Sequence, residues 1–461
     1  MKALIMIILF LFSVVVRPLL TIIFQILNFI PFIKARLIFE RKNLTDDERM
    51  YRVKWEKKEV YSAAFFVSSE GEFEQVLPLI QQLIDQQKKC EIVFTSPSVE
   101  KKVLTFYQNN PSLITYLRLP LMSFWPFPFF IFQAIWFWVK SPVVVFCRYD
   151  FFPELLAFAL FNKKLVLVSA SFKNKNIHFF RKLFYRGFFD FFQEIVFASI
   201  QDQKTFELLA ETLDKKSDWQ KIKTRVFDFR VQRILKRISN KEMTLFENSH
   251  LRAFCQQLEN VPANRKLIIG SFWMSDSVAL FHPTVLQFVK QEKMQIFLFP
   301  HKLKDQQLRE ELMEYLRNRG DVSLQFISTL EELSRVEINQ DEAKIYYIDI
   351  GGILVEMYSF FKQSYVGGGF ERSIHSVLEP YMAQNFVLTG PKTHRSTEWE
   401  LINADHEFPG GLDVLTHVEV LSFLNSVIHN GVVEVSTSKN YQALLKWNQD
   451  EIQKITREIF C

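Results

Sequence analysis

Ten short runs rich in Val, Ile and Phe, each followed by turn residues and separated by helix-length segments, constrain this chain more than any other feature. In the first half they are YSAAFFVSS, KCEIVFTS, SPVVVFCRYD, KKLVLVSAS and EIVFAS; in the second, RKLIIGSF, MQIFLFP, AKIYYIDI, QSYVGGGF and NFVLTGP. Apolar runs of this length that do not alternate with polar residues suit strands buried on both faces, and strands alternating with helices form parallel sheets. An α/β protein with two doubly wound halves follows, and 461 residues are ample for two cores. The series breaks at the polar stretch ENVPANR, residues 259–265. The expected organisation is a hydrophobic anchor over 1–34, a charged connector over 35–57, and domains over 58–257 and 258–461.

The anchor begins MKALIMIILFLFSVVVRPLL. Residues 3–16 are apolar but for Ser13, too short a run for a bilayer core that takes about 20 residues. Continuing to Ile33 gives length enough, roughly 45 Å if one helix, but Arg17, Gln25 and Asn28 interrupt it. A tilted span and an in-plane or re-entrant anchor both fit; a signal peptide does not, since no small-x-small cleavage site follows. The basic cluster Lys34, Arg36, Arg41 and Lys42 suits an anionic cytoplasmic leaflet. The aromatic stretch 123–138 and the basic, aromatic stretch 173–189 fit either a headgroup-contacting surface or packing between helices. A net charge of +5 is too small to mark a nucleic-acid binder. Four scattered cysteines fit a reduced compartment and form no zinc-ligand spacing.

Three stretches could carry chemistry. In SSEGEFEQVLPLI, residues 68–80, a strand ends and the apolar positions 73, 76, 77, 80, 83 and 84 take helical spacing. That places Gly71 at the turn and Glu72 at or just before the first helical position; from spacing alone, a dipole partner or cap is the commoner role for such a glutamate. Glu74 falls on the helix surface, and Glu70 is left open. In SYVGGGFERSIHSVLEP, three glycines after a strand permit close approach to a ligand, and His375 and Glu379 lie four apart at an expected helix start. A carboxylate there suits a ribose diol, though a capping glutamate with a core histidine fits equally well. In IDIGGILVEMYSFF, Gly351 and Gly352 follow a strand and open a helix. The turn GSFWMSDS has the same layout. HExxH, GxSxG and Walker A patterns are absent.

Taken in order, these stretches resemble the Kdo transferases, which place 3-deoxy-D-manno-octulosonic acid on a lipid A precursor. Ser69-Glu70-Gly71-Glu72 is similar to that family's S-x-G-E, and Tyr149-Asp150-Phe151-Phe152-Pro153 to its T-E-L-W-P. Gly270-Ser271 with Trp273 resembles G-S-T-W/H, and residues 349–354 resemble D-T-M-G-E-L. VGGGFERSIHSVLEP and the following VLTGP are similar to V-G-G-G-F-x-x-G-I-H-N-x-L-E-P and its G-P sequel.

The resemblance implies a GT-B fold: two Rossmann-like doubly wound domains facing a central cleft, with an N-terminal membrane anchor at the cytoplasmic face of the inner membrane. It implies an inverting transfer from CMP-Kdo to a sugar hydroxyl of the lipid A precursor, with no metal or other cofactor. Glu72 would be the base and Asp150 would stabilise the transition state. CMP contacts would fall on Pro300 and His301, on Gly351, Gly352 and Ile353, and on Ser376, Val377, Leu378 and Glu379. Departures cluster on the donor side. Pro300-His301-Lys302 stands for Pro-Arg-His, so Lys302 or a protonated His301 would replace an arginine; Ser376 replaces an asparagine and Ile353 a glutamate. Arg225 and Arg230 are the basic candidates near a further family segment. The alternative is a GT-B transferase using another nucleotide sugar on a lipid acceptor, or a catalytically impaired membrane-bound homologue.

Overall fold

The computed structural model describes residues 7–8, 11, 15–41, 60–119, 122, 139–148, 156, 158–159, 163–171, 187–213, 215–240, 248–319, 322–394, 396–403 and 409–460. Two compact units result: Met1–Arg233 with Asn448–Cys461, and Ile234–Trp447.

The first unit is a seven-stranded, all-parallel sheet in the order β3-β2-β1-β4-β5-β6-β7. Its strands are β1 Ala63–Val67, β2 Cys90–Phe94, β3 Ile114–Arg118, β4 Val143–Cys147, β5 Lys164–Ala170, β6 Glu194–Phe197 and β7 Lys223–Val226. All five residues of β1, β2 and β4 are buried, as strands covered on both faces require. Separate apolar cores lie on the two faces, one built around Phe66, Phe146 and Phe206, the other around Phe65, Leu79 and Phe94. Ile452, Ile455 and Ile459 of the C-terminal helix Lys439–Phe460 join the second of these. Lys164 Nζ donates to the carbonyls of Glu458 and Ile459, both at 3.0 Å, which fastens the chain's end to this sheet.

The second unit repeats the plan with β8 Lys266–Phe272, β9 Gln295–Pro300, β10 Ser323–Ile327, β11 Lys344–Ile348, β12 Gln363–Val366, β13 Phe386–Thr389 and β14 Gly411–Asp413. The order is β10-β11-β9-β8-β12-β13-β14, again all parallel. In each sheet the strand order reverses once near the middle, between β1 and β4 and between β8 and β12. Open parallel sheets bind ligands beyond the carboxyl ends of the strands at such a reversal.

All ten expected runs form strands, and the α/β, doubly wound reading holds in both units. The four strands that the apolar runs did not announce, β3, β7, β10 and β14, are the four sheet edges. At the N-terminus, residues 17–41 form two short helices, Arg17–Ile26 and Pro31–Arg41, rather than one long one. Among the described residues no helix is long and apolar enough to cross a membrane. The aromatic stretch 123–138 and residues 173–186 of the basic stretch lie outside the described residues.

Candidate active site

Beyond the carboxyl end of β1, Ser69 takes extended backbone and N-caps the helix Glu70–Asp85, its hydroxyl accepting from Glu72 N at 3.3 Å. The helix therefore begins two residues earlier than spacing predicts. Gly71 is not the turn but part of the first helical turn, and Glu72 is the third helical residue. A Cβ on Gly71 would meet nothing within 4 Å, so no steric demand explains that glycine. Glu72 is only 2% exposed, and its Oε2 accepts from Ser68 N at 2.6 Å and Ser68 Oγ at 2.8 Å. Backbone and hydroxyl of one residue thus fix the carboxylate beside the sheet's reversal point.

Its neighbours are sorted by the same helix. Lys102 forms ion pairs with both Glu70 and Glu74, and Arg233 pairs with Glu74 as well. Burial works against the charge on Lys102, but these two carboxylates outweigh it and hold its pKa above the ordinary lysine value. Glu70, left open by the sequence, is therefore engaged by a cation. Gln75, one turn beyond Glu72, is buried, and its Oε1 accepts from Arg148 Nε at 3.3 Å. That bond joins the helix after β1 to the end of β4, and Arg148 itself has φ 60°. Asp150, two residues further, lies outside the described residues. Arg225 is committed elsewhere: its guanidinium pairs with Glu194 at 2.7 Å and Glu458 at 2.6 Å. Arg230 pairs with Asp228 at 2.5 Å.

In the second unit the reversal point gathers three turns. Asp276, wholly buried, accepts from Trp273 N at 2.9 Å, Gly368 N at 3.2 Å and Tyr365 Oη at 3.0 Å, tying the turn after β8 to the turn after β12. Burial pushes its carboxyl up to about 6 against those bonds. The Trp273 indole donates to His375 Nε2 at 3.0 Å with the two rings 4° from coplanar. His301, at the end of β9, stacks over both, with centroids 4.5 Å from Trp273 and 4.1 Å from His375. Burial, then the neighbouring His301, lowers the His375 pKa to about 4. Burial and Lys302 also lower that of His301, which argues against the protonated His301 that would stand for an arginine. Lys302 Nζ lies 5.8 Å from the Trp273 ring centroid.

The glycine run also packs closely against the protein's own backbone. A Cβ on Gly367 would lie 2.3 Å from the Ser271 carbonyl, and one on Gly369 would lie 2.6 Å from the Gly390 backbone. Gly368 has φ +95°. These residues bring one stretch of the protein's own backbone against another. His375 belongs to the turn, not to a helix shared with Glu379, because the helix starts at Leu378. Glu398 Oε2 accepts from Ser376 Oγ at 2.9 Å and Leu378 N at 3.1 Å, so the 376–379 block is pinned from within by a residue the motifs did not announce. Gly351 and Gly352 are exposed at the end of β11, with Ile353 buried beneath them. Asp349 accepts from Lys304 N at 2.9 Å and Arg309 Nη2 at 2.6 Å, holding the loop that carries His301 and Lys302. Pro300 is the buried last residue of β9. His301, Trp273, His375 and the glycine turn thus come together.

Residues 45–225 match the family described as 3-deoxy-D-manno-octulosonic-acid transferase (kdotransferase). No curated protein matches the sequence. Among solved structures, a glycosyltransferase from Rickettsia africae is 12% identical, covering 87% of this chain and 98% of its own, with a TM-score of 0.53. The UDP-GlcNAc 2-epimerase from Neisseria meningitidis is 11% identical, covering 84% of this chain and 99% of its own, with a TM-score of 0.54. At these identities the likeness speaks for fold alone. Residues 45–225 are thus similar to the Kdo transferase family, and the two parallel sheets have the GT-B fold.

Proposed function

We propose that the chain moves Kdo from CMP-Kdo to a sugar hydroxyl of a lipid A precursor, with inversion and without a metal, at the cytoplasmic face of the inner membrane. The observation that carries this reading is Glu72, fixed by Ser68 at the strand reversal of the unit that matches the family. A general base must come within about 3 Å of the proton it takes, and a buried side chain held by two hydrogen bonds on the first turn of a capped helix has little freedom. In the proposed step Glu72 takes the proton of the acceptor hydroxyl as its oxygen bonds to the anomeric carbon of Kdo. The bond from that carbon to the CMP phosphate oxygen breaks on the opposite face, and CMP carries away the electron pair.

Asp150 is proposed as the second acidic group, from the motif alone. The donor contacts proposed are Pro300, His301, Gly351, Gly352, Ile353, Ser376, Val377, Leu378 and Glu379, with Lys302 the remaining cation near the phosphate. The exposed apolar residues of the N-terminal helices support a membrane surface as partner. Glu72→Gln tests the assignment: transfer should fall by about 10²–10⁴ with CMP affinity unchanged.

A second reading, a donor other than CMP-Kdo, follows from the sequence Pro300-His301-Lys302, which offers the phosphate side no fork-shaped cation. Calorimetry with CMP, UDP and GDP separates the two; preference for UDP or GDP selects the rival. Tight CMP binding without turnover would instead select an impaired homologue.

A further inference from the structure

The helices Arg17–Ile26 and Pro31–Arg41 have two sides with different environments. One side is fastened to the first unit. Thr21, Ile33, Leu37 and Glu40 are buried, and Gln25 Nε2 donates to the Met122 carbonyl at 3.3 Å. Arg36 donates to the Thr95 carbonyl and, at 2.8 Å, to Glu40 Oε1, while Glu40 Oε2 accepts from Met122 N at 2.9 Å. Arg118 Nη1 donates to the Phe39 carbonyl at 3.1 Å, with its guanidinium 4.9 Å from the Phe39 ring centroid. The other side is apolar and open: Leu19, Ile22, Ile26 and Ile38 are exposed, and Phe29 and Phe32, at the turn between the helices, are 72% and 71% exposed.

Length and attachment decide how such a surface meets a bilayer. Helices of 10 and 11 residues rise about 15 Å and 16 Å, half of a hydrocarbon core of about 30 Å. Both are held along the flank of the first sheet by polar contacts, so neither can stand upright in a membrane without breaking them. Charge selects the occupant. Residues 1–42 contain six Lys or Arg and one acid, Glu40, and that acid is buried against Arg36. An open apolar face beside exposed Lys34, in a segment with this excess of cations, fits an anionic lipid surface better than a protein face of mixed charge.

We propose, resting on the membrane reading of this segment, that the two helices form a plate lying in the plane of one leaflet, which holds the first unit against an anionic lipid surface without crossing it. The apolar side sinks to the level of the upper acyl chains, and the polar contacts with Thr95, Met122 and Arg118 keep the sheet at a fixed height above it. Lys34, exposed on the second helix, remains at headgroup level.

The test uses the full chain with Cys461→Ser and vesicles of phosphatidylglycerol and phosphatidylethanolamine. Nitroxide labels are placed through Ile22→Cys, Ile26→Cys, Phe29→Cys and Phe32→Cys; Cys90, Cys147 and Cys255 are buried. All four labels should read depths within about 10 Å of the phosphate plane of one leaflet. Phe29→Glu with Phe32→Glu should lower vesicle partitioning at least tenfold, with CMP affinity unchanged. Depths that increase steadily past the midplane would establish a span and overturn the plate. So would glutamate variants that bind vesicles like wild type, or a lipid-free dimer that dissociates on the same substitutions. Wild type that does not associate with vesicles, yet releases CMP on a detergent-solubilised acceptor, would overturn the membrane reading while leaving the transferase reading intact.

Discussion

Asp276 is buried with three hydrogen-bond donors around it, and its carboxyl is nonetheless pushed up from 3.8 to about 6 because burial outweighs those bonds. For an acid whose folded pKa is raised, the folded state binds the proton more tightly than the unfolded one. Stability from this group is therefore full below pH 4 and lost as pH rises toward 6. A shift of this size corresponds to about 3 kcal/mol. Asp276→Asn keeps an oxygen for Trp273 N and Gly368 N and can turn its amide toward Tyr365 Oη. It should abolish that part of the pH dependence and stabilise the chain at pH 7 by up to about 3 kcal/mol, as read by denaturant unfolding at pH 4 and 7.

His375 works in the opposite sense. Its pKa is lowered from 6.5 to about 4, so its contribution is present above pH 6.5 and lost as pH falls through 4. His375→Gln should therefore flatten stability between pH 6.5 and 4 from the acid side, and unfolding curves of the two variants should diverge with opposite slopes.

At the scale of elements, glycines of similar appearance in the sequence make different demands. Gly71 sits in the first turn of an open helix with free space at its Cβ position, so Gly71→Ala should stabilise the helix Glu70–Asp85 by up to about 1 kcal/mol and leave transfer intact. A loss of transfer in that variant would mean that a ligand, not the fold, needs the glycine. Gly369→Ala drives a Cβ to 2.6 Å from the Gly390 backbone and should cost about 1–3 kcal/mol or more, seen as a lowered unfolding midpoint.

These cases show what was legible in the sequence. Central strands such as β1, with all five residues buried, must be apolar and could be read directly. Edge strands such as β7, Lys223–Val226, face solvent on one side, carry Lys and Arg, and leave no apolar run to read. Glu72 could be placed near a helix start, but not Ser68 as its partner, since that bond depends on the turn's backbone path. Asp276, Gln75 and Glu398 were missed because their roles come from contacts across 92, 73 and 20 residues of sequence respectively. A single buried polar residue gives no periodic signal.

For the whole molecule, two parallel sheets with one reversal each explain why the candidate groups sit at or just beyond the carboxyl ends of strands. The first unit places the buried Glu72 side chain at its reversal, and the second places a Trp-His-His cluster at its own. Several departures from the family pattern fall on the proposed CMP contacts, so nucleotide choice is the property of the whole chain most in need of a direct comparison. CMP should bind more tightly than UDP or GDP by calorimetry if the transferase reading is right. The most direct measurement of the central claim is CMP release by the purified full chain given CMP-Kdo and a tetraacylated lipid A precursor, with the lipid product weighed by mass spectrometry. The account predicts CMP release matched by Kdo-bearing lipid, and loss of both in Glu72→Gln. No turnover by the wild type, or full turnover by Glu72→Gln, would contradict it.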